Sequence, residues 1–306
     1  MALICFFFCC SCVSFHSNET DNKSSAVSNV PKENFNSFSY IIKDTSLNVF
    51  SLAVSKNGIL YFSNFGSPSK IGKIDLKQGS EPLLFVDLAE WIDLTQDLSP
   101  SAEGMRVDDS GHLLIAESGT GKLLRISADA RKLEVLADSY DGYRFSSVKD
   151  LAIGSGGDLF VSSPLSGTIY RIIPEKGYVG VLNMDLVMAE GLCISPDGNK
   201  LIAAEPEAGR LIVYNMPDEL LPVSSWTLVD FSPSEIAPKS LTFDQAGRLY
   251  VLIPNENEIK VFDLNDGKQI TSLNLEAKTN SLACFQNRLF VAVNDGIQVL
   301  DISHIP

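Results

Sequence analysis

Short apolar runs alternate with polar turns along most of this chain, and the runs come in sets. Residues 189–214 (AEGLCISPDGNKLIAAEPEAGRLIVY) show one set. Leu192 to Ser195 alternates as a half-buried strand. Pro196-Asp197-Gly198 reads as a turn, because Pro pre-sets φ and Gly accepts positive φ. Leu201 to Ala204 is an apolar strand that pairs back, Glu205 to Gly209 is a polar loop, and Arg210 to Tyr214 alternates as a third strand.

The same pattern is written six times, opening at Leu52, Met105, Leu151, Leu192, Leu241 and Leu282. Subtracting these numbers gives spacings of 53, 46, 41, 49 and 41. The first turn recurs as KNG, DSG, GGD, PDG, QAG and QNR. Five copies carry a fourth strand, at Leu83–Leu88, Leu133–Ala137, Tyr178–Leu182, Trp226–Phe231 and Ile270–Leu275. A period in the forties with four strands per unit predicts an all-β, six-bladed β-propeller. The sixth copy lacks its fourth strand, and Phe38–Lys43 (FSYIIK) is a strand without a copy. This N-terminal strand is expected to complete the last blade, because an open ring would leave an unpaired sheet edge.

Residues 37–306 are therefore assigned to the propeller. Residues 1–12 (MALICFFFCCSC) are foreign to it and suit the apolar core of a secretory signal, being too short to span a bilayer as a helix. No Lys or Arg precedes that run. Ser11-Cys12 is similar to a bacterial lipoprotein cleavage site, which would make Cys12 the lipidated residue. Residues 13–36, rich in Ser and Asn, read as a disordered tether. The expectation is an exported, envelope-associated or extracellular protein that meets the membrane only through its anchor. Cys193 and Cys284, on first strands of different blades, are expected to be free and buried rather than bridged. The insert Asp87–Ala102, with a helical turn near Ala89–Leu94, is a candidate lid.

Composition changes the picture in one respect. The 306 residues are 45% apolar and 20% charged, as in an ordinary globular chain, but the net charge is −14. That argues against nucleic acid and anionic membranes as partners. The chain is expected to act as a monomer on a small-molecule or protein ligand at the channel mouth. With three histidines, at 16, 112 and 304, a histidine dyad or His-rich metal site is not expected, and no phosphate loop or GxSxG elbow is present.

In a propeller the first strands line the central channel. The residues two before each opening position then ring its mouth: Phe50, Glu103, Lys149, Glu190, Lys239 and Asn280. Loops after the second strands add Asn64, Glu117, Ser163, Glu205, Asn255 and Asn294. The alternation of Glu103, Lys149, Glu190 and Lys239 predicts either a ring of mutually satisfying ion pairs or a ligand pocket. In the pocket reading, Glu103, Lys149, Asp150, Lys239, Asn280 and Glu117 bind an anionic or sugar-like ligand.

The units AEGL…SPDGNKL…A and LAVSKNGILYFSN resemble the family of SMP-30, gluconolactonases and luciferin-regenerating proteins, over about residues 45–303. Similar phrases occur in NHL-type and streptogramin-lyase-like propellers. The resemblance implies hydrolysis of a lactone or ester by metal-activated water, with Glu190 or Glu205 as the base. The alternative class is a non-catalytic propeller that binds a small ligand or an envelope protein. The resemblance also implies a divalent cation such as calcium. Its ligand positions fall on Phe50, Lys149, Glu190 and Lys239, where Glu190 alone could bind a cation. A shift of one residue gives Ser51, Asp150, Gly191 and Ser240. Glu205, Asp150 and Glu117 are a further candidate oxygen set. Lysines at two of the four ligand positions predict that no metal is held.

Overall fold

The computed structural model describes residues 37–92, 98–216 and 224–306. The leader, the tether, Cys12 and part of the Asp87–Ala102 insert lie outside these residues.

Polar turns between apolar runs produce six four-stranded antiparallel sheets and one small hairpin among the described residues. Each sheet is a blade, and its first strand is inmost. The first strands are Leu52–Val54, Ala102–Val107, Leu151–Ile153, Leu192–Ile194, Leu241–Phe243 and Thr279–Phe285. The fourth blade shows how the sequence sets register. Gly198 takes φ +75° in the Pro-Asp-Gly turn, so Leu192 faces Ala203, and Leu201 then faces Tyr214.

The six opening residues (Leu52, Met105, Leu151, Leu192, Leu241 and Leu282) are each 3% exposed or less. They pack between neighbouring blades, as Met105 does against Tyr61 and Phe85 of the preceding one. Burying a side chain of this size contributes about 1.5–3 kcal/mol.

The sixth blade is closed as expected. Ser39–Lys43 pairs with Gly296–Asp301, with Ser39 opposite Val299 and Lys43 opposite Gly296. Tyr40 Oη donates to Asp295 at 3.0 Å beside this seam. The strand starts one residue later than the pattern predicts. The fourth strand of the first blade ends at Asp87 rather than Leu88, because the Asp87 carboxylate accepts from Ala89 N and starts a 3-10 turn at Leu88–Glu90. Of the candidate lid, residues 87–92, which hold that turn, and residues 98–102 are described.

Candidate functional site

The mouth ring forms as the repeat predicts. Phe50, Glu103, Lys149, Glu190, Lys239 and Asn280 line one cavity of about 40 Å³, together with Ser51, Gly104, Asp150, Gly191, Ser240 and Ser281. Both registers considered from the sequence therefore face the same space. Gly104 and Gly191 are required by the approach of the next blade. A Cβ on Gly104 would lie 2.5 Å from the Asp150 backbone, and one on Gly191 2.1 Å from Lys239 O.

The expected ring of ion pairs does not close. Lys149 Nζ meets Glu103 Oε2 at 2.8 Å. Among the described residues, Lys239 Nζ has no ion pair or hydrogen bond, and Glu190 Oε2 is buried without a partner. Burial alone would pull the Lys149 pKa down, but the Glu103 carboxylate, backed by Glu190 and Asp150, holds it above the ordinary lysine value. The Lys149 ammonium thus stays charged beside an unsatisfied carboxylate. Asn280 serves the ring itself, donating to Val49 O at 2.8 Å across the seam between the sixth and first blades.

Glu117 and Glu205 do not join this cavity. Both are fully buried at the ends of second strands. Glu117 Oε1 accepts from Ser101 N at 2.9 Å and Gly119 N at 2.7 Å, and Oε2 accepts from Thr120 N and Oγ1. Glu205 Oε1 accepts from Val187 N at 2.6 Å, and Oε2 is paired with Arg210. Asn64 does a similar job by donating to Asn48 O at 2.6 Å, and Asn255 by donating to Glu235 O at 3.0 Å. These positions staple the loop entering a blade to the loop after its second strand. They shape the mouth face, and their polar atoms are already engaged.

One residue that the repeat positions did not single out divides the channel. Arg106, one place beyond the opening residue of the second blade, donates to Asp150 Oδ2 at 3.0 Å, to Leu192 O at 2.7 Å and to Met105 O at 2.7 Å. Asp150 also accepts from Leu151 N at 2.8 Å and Leu192 N at 3.0 Å. Arg106 lines the mouth cavity on one side and, on the other, a cavity of about 620 Å³ at the opposite end of the channel.

The sequence profile of the SMP-30/gluconolactonase/LRE-like region matches residues 140–294, just over half of the chain. The chain belongs to this family. Within the SMP-30/gluconolactonase/LRE-like family, the gluconolactonase of Zymomonas mobilis is 28% identical over 188 residues, 54% of this chain and 53% of that protein. Strictosidine Synthase-Like 7 of Arabidopsis thaliana is 26% identical over 162 residues, 47% of this chain and 42% of that protein. The chain thus spans about half the length of the curated relatives it matches. In fold, a gluconolactonase of Xanthomonas campestris superposes with a TM-score of 0.72 at 18% identity, covering 87% of this chain and 89% of that one. A luciferin-regenerating enzyme gives 0.70 at 14% identity, covering 88% and 96%.

The divalent cation that the family resemblance implies does not fit these residues. Hard cations need several oxygen ligands. At the ligand positions stand a phenyl ring and two ammonium groups, with Glu190 as the one carboxylate. Of the described carboxylates around the site, Glu103 is paired with Lys149 and Asp150 with Arg106, which leaves Glu190 alone without an ion pair. Among the described residues, no three His, Cys, Asp or Glu side chains converge to hold a metal. The alternative set of Glu205, Asp150 and Glu117 is not assembled either, since each carboxylate is engaged by its own donors.

Proposed function

We propose that this propeller is a lactonase-type hydrolase whose mouth site uses lysine ammonium groups where the family resemblance implies a metal ion. The observation that carries the reading is the Glu190 carboxylate, with one oxygen buried and unpartnered beside the charged Lys149. A carboxylate without donors is a ready proton acceptor for a water placed against it. The cavity of about 40 Å³ is of the size to hold that water while a lactone lies across the ring.

The chemistry then balances simply. Glu190 takes a proton from the water as its oxygen bonds to the carbonyl carbon. Lys149 and Lys239 offset the charge that develops on the carbonyl oxygen. The ring C–O bond breaks, and the proton returns from Glu190 to the departing alkoxide, giving a hydroxy acid.

One observation favours a second reading. The unpaired Lys239, which lines the same cavity as Lys149, also suits a non-catalytic pocket for a small anionic or sugar-like ligand. Proton release from a panel of lactones and esters separates the two. The hydrolase reading expects turnover that falls by on the order of 10²–10⁴ in Glu190→Gln, with an unchanged melting temperature. Turnover unaltered by Glu190→Gln would remove Glu190 from the chemistry. Binding without turnover would favour the pocket. Export and attachment through Cys12 belong to the same proposal and rest on residues 1–12. Mass spectrometry of the N-terminus from membrane fractions tests them, and an unmodified Met1 in a soluble fraction would refute them.

A further inference from the structure

Beyond Arg106, at the end of the channel away from the lysine–glutamate ring, lies the larger cavity of about 620 Å³. Its volume is within the ordinary range of small-molecule sites. The ring of residues one place beyond each opening position is Ala53, Arg106, Ala152, Cys193, Thr242 and Ala283, and all six line it. Five are small, which is why the channel is wide here. Their surfaces are mainly apolar, so this wall favours a ligand with an apolar body.

The charge of the cavity is unusual for a protein of net charge −14. Two cations line it, Arg106 and Lys56, against one carboxylate, Asp244. Asp244 is engaged elsewhere, with Arg248 Nε at 2.6 Å and Tyr250 Oη at 3.0 Å. Lys56 pairs at the rim with Asp109. Arg106 remains as the floor. A guanidinium has five N–H donors, and Arg106 makes three hydrogen bonds, to Asp150, Leu192 O and Met105 O. Asp150 is additionally held by two backbone N–H groups and does not depend on Arg106 alone.

We infer that this cavity is a second ligand site, which takes one amphipathic molecule with a carboxylate head on Arg106 and an acyl or aryl body against the small-residue wall. It is separate from the mouth site and does not require that site to be catalytic. Cys193, buried, and Cys284, half-buried, are free thiols that line it; burial pushes both pKa values up, so they label slowly, and the slow rate reports access from the cavity.

Octanoate and octanol are titrated calorimetrically into the full chain. Octanoate is expected to bind one to one and octanol about tenfold more weakly, the difference being a charge-assisted hydrogen bond. Bound octanoate is expected to slow N-ethylmaleimide labelling of Cys193 and Cys284 severalfold, read by peptide mass spectrometry. Arg106→Met should abolish the preference for octanoate, and Ala152→Phe, which fills the cavity, should remove binding of both. Three results would each overturn the inference. These are no saturable octanoate binding, binding unchanged in a folded Ala152→Phe variant, and bound octanoate that leaves both thiols labelling at the free rate. The thiol readout uses the unaltered protein and stands even if a variant fails to fold.

Discussion

Arg106 and Asp150 are the single charged residues of two successive rings on the channel wall, and they pair with each other at 3.0 Å. The ring nearer the mouth is otherwise Ser51, Gly104, Gly191, Ser240 and Ser281, and the ring below it Ala53, Ala152, Cys193, Thr242 and Ala283. Small residues open the channel, and one ion pair partitions it. Because Arg106 comes from the second blade and Asp150 from the third, with Leu192 of the fourth engaged by both, the pair also ties three blades together.

Removing one partner should therefore cost more than a surface ion pair would. Asp150→Ala leaves the Arg106 guanidinium and the N–H groups of Leu151 and Leu192 short of an acceptor in a half-buried place. A loss of about 1–3 kcal/mol in urea unfolding is expected. A loss below a few tenths of a kcal/mol, the level of an exposed pair, would show that the partition carries no load.

Glu205→Ala should act on stability, although the sequence made Glu205 a candidate base. Its carboxylate is buried and divided between Val187 N and Arg210. The variant should lose about 1–3 kcal/mol. Amide exchange should rise in the loop around Val187, which the carboxylate pins. Loss of turnover with no change in stability would reverse this assignment.

The propeller was legible in the sequence because its period survives every insertion, and the six opening residues are the ones that pack between blades. The mouth ring followed from the same arithmetic. Glu117 and Glu205 were misread because a polar residue at the end of an apolar run looks like the start of an exposed loop. In LLIAE and KLIAAE the carboxylate instead belongs to the buried strand and turns back onto backbone N–H groups. Arg106 stands one place beyond the opening position, outside the positions that the mouth ring defines. The signal was there, in a single charge among Ala, Ala, Cys, Thr and Ala.

Alkaline pH should weaken the fold through Tyr250. Burial, then the adjacent Asp244 carboxylate, pushes its phenol pKa up. The unfolded chain releases that proton near the ordinary value of about 10 while the folded chain keeps it. Above that pH the unfolded state binds fewer protons, so stability present at neutral pH is lost as pH rises. Tyr250→Phe should cost about 1 kcal/mol at pH 7 through the lost bond to Asp244. It should also show a shallower decline between about pH 10 and 12. Equal slopes in the two proteins would exclude Tyr250 as the source.

Lysine at position 149 makes a prediction about metals. Calcium should leave the melting temperature of the natural chain unchanged. Calcium stabilisation of the natural chain would contradict the misfit described above.

The closing blade sets an order of events during synthesis. Among the described strands, Ser39–Lys43 leaves the ribosome before any other, yet its one partner there, Gly296–Asp301, leaves after all the others. Until then the nascent chain carries an unpaired strand at one end and an incomplete sheet at the other, the edges most prone to pairing with a neighbour. Ring closure thus waits for the last strand of the sixth blade, and the hazard of misassembly is greatest in chains that stall just short of it.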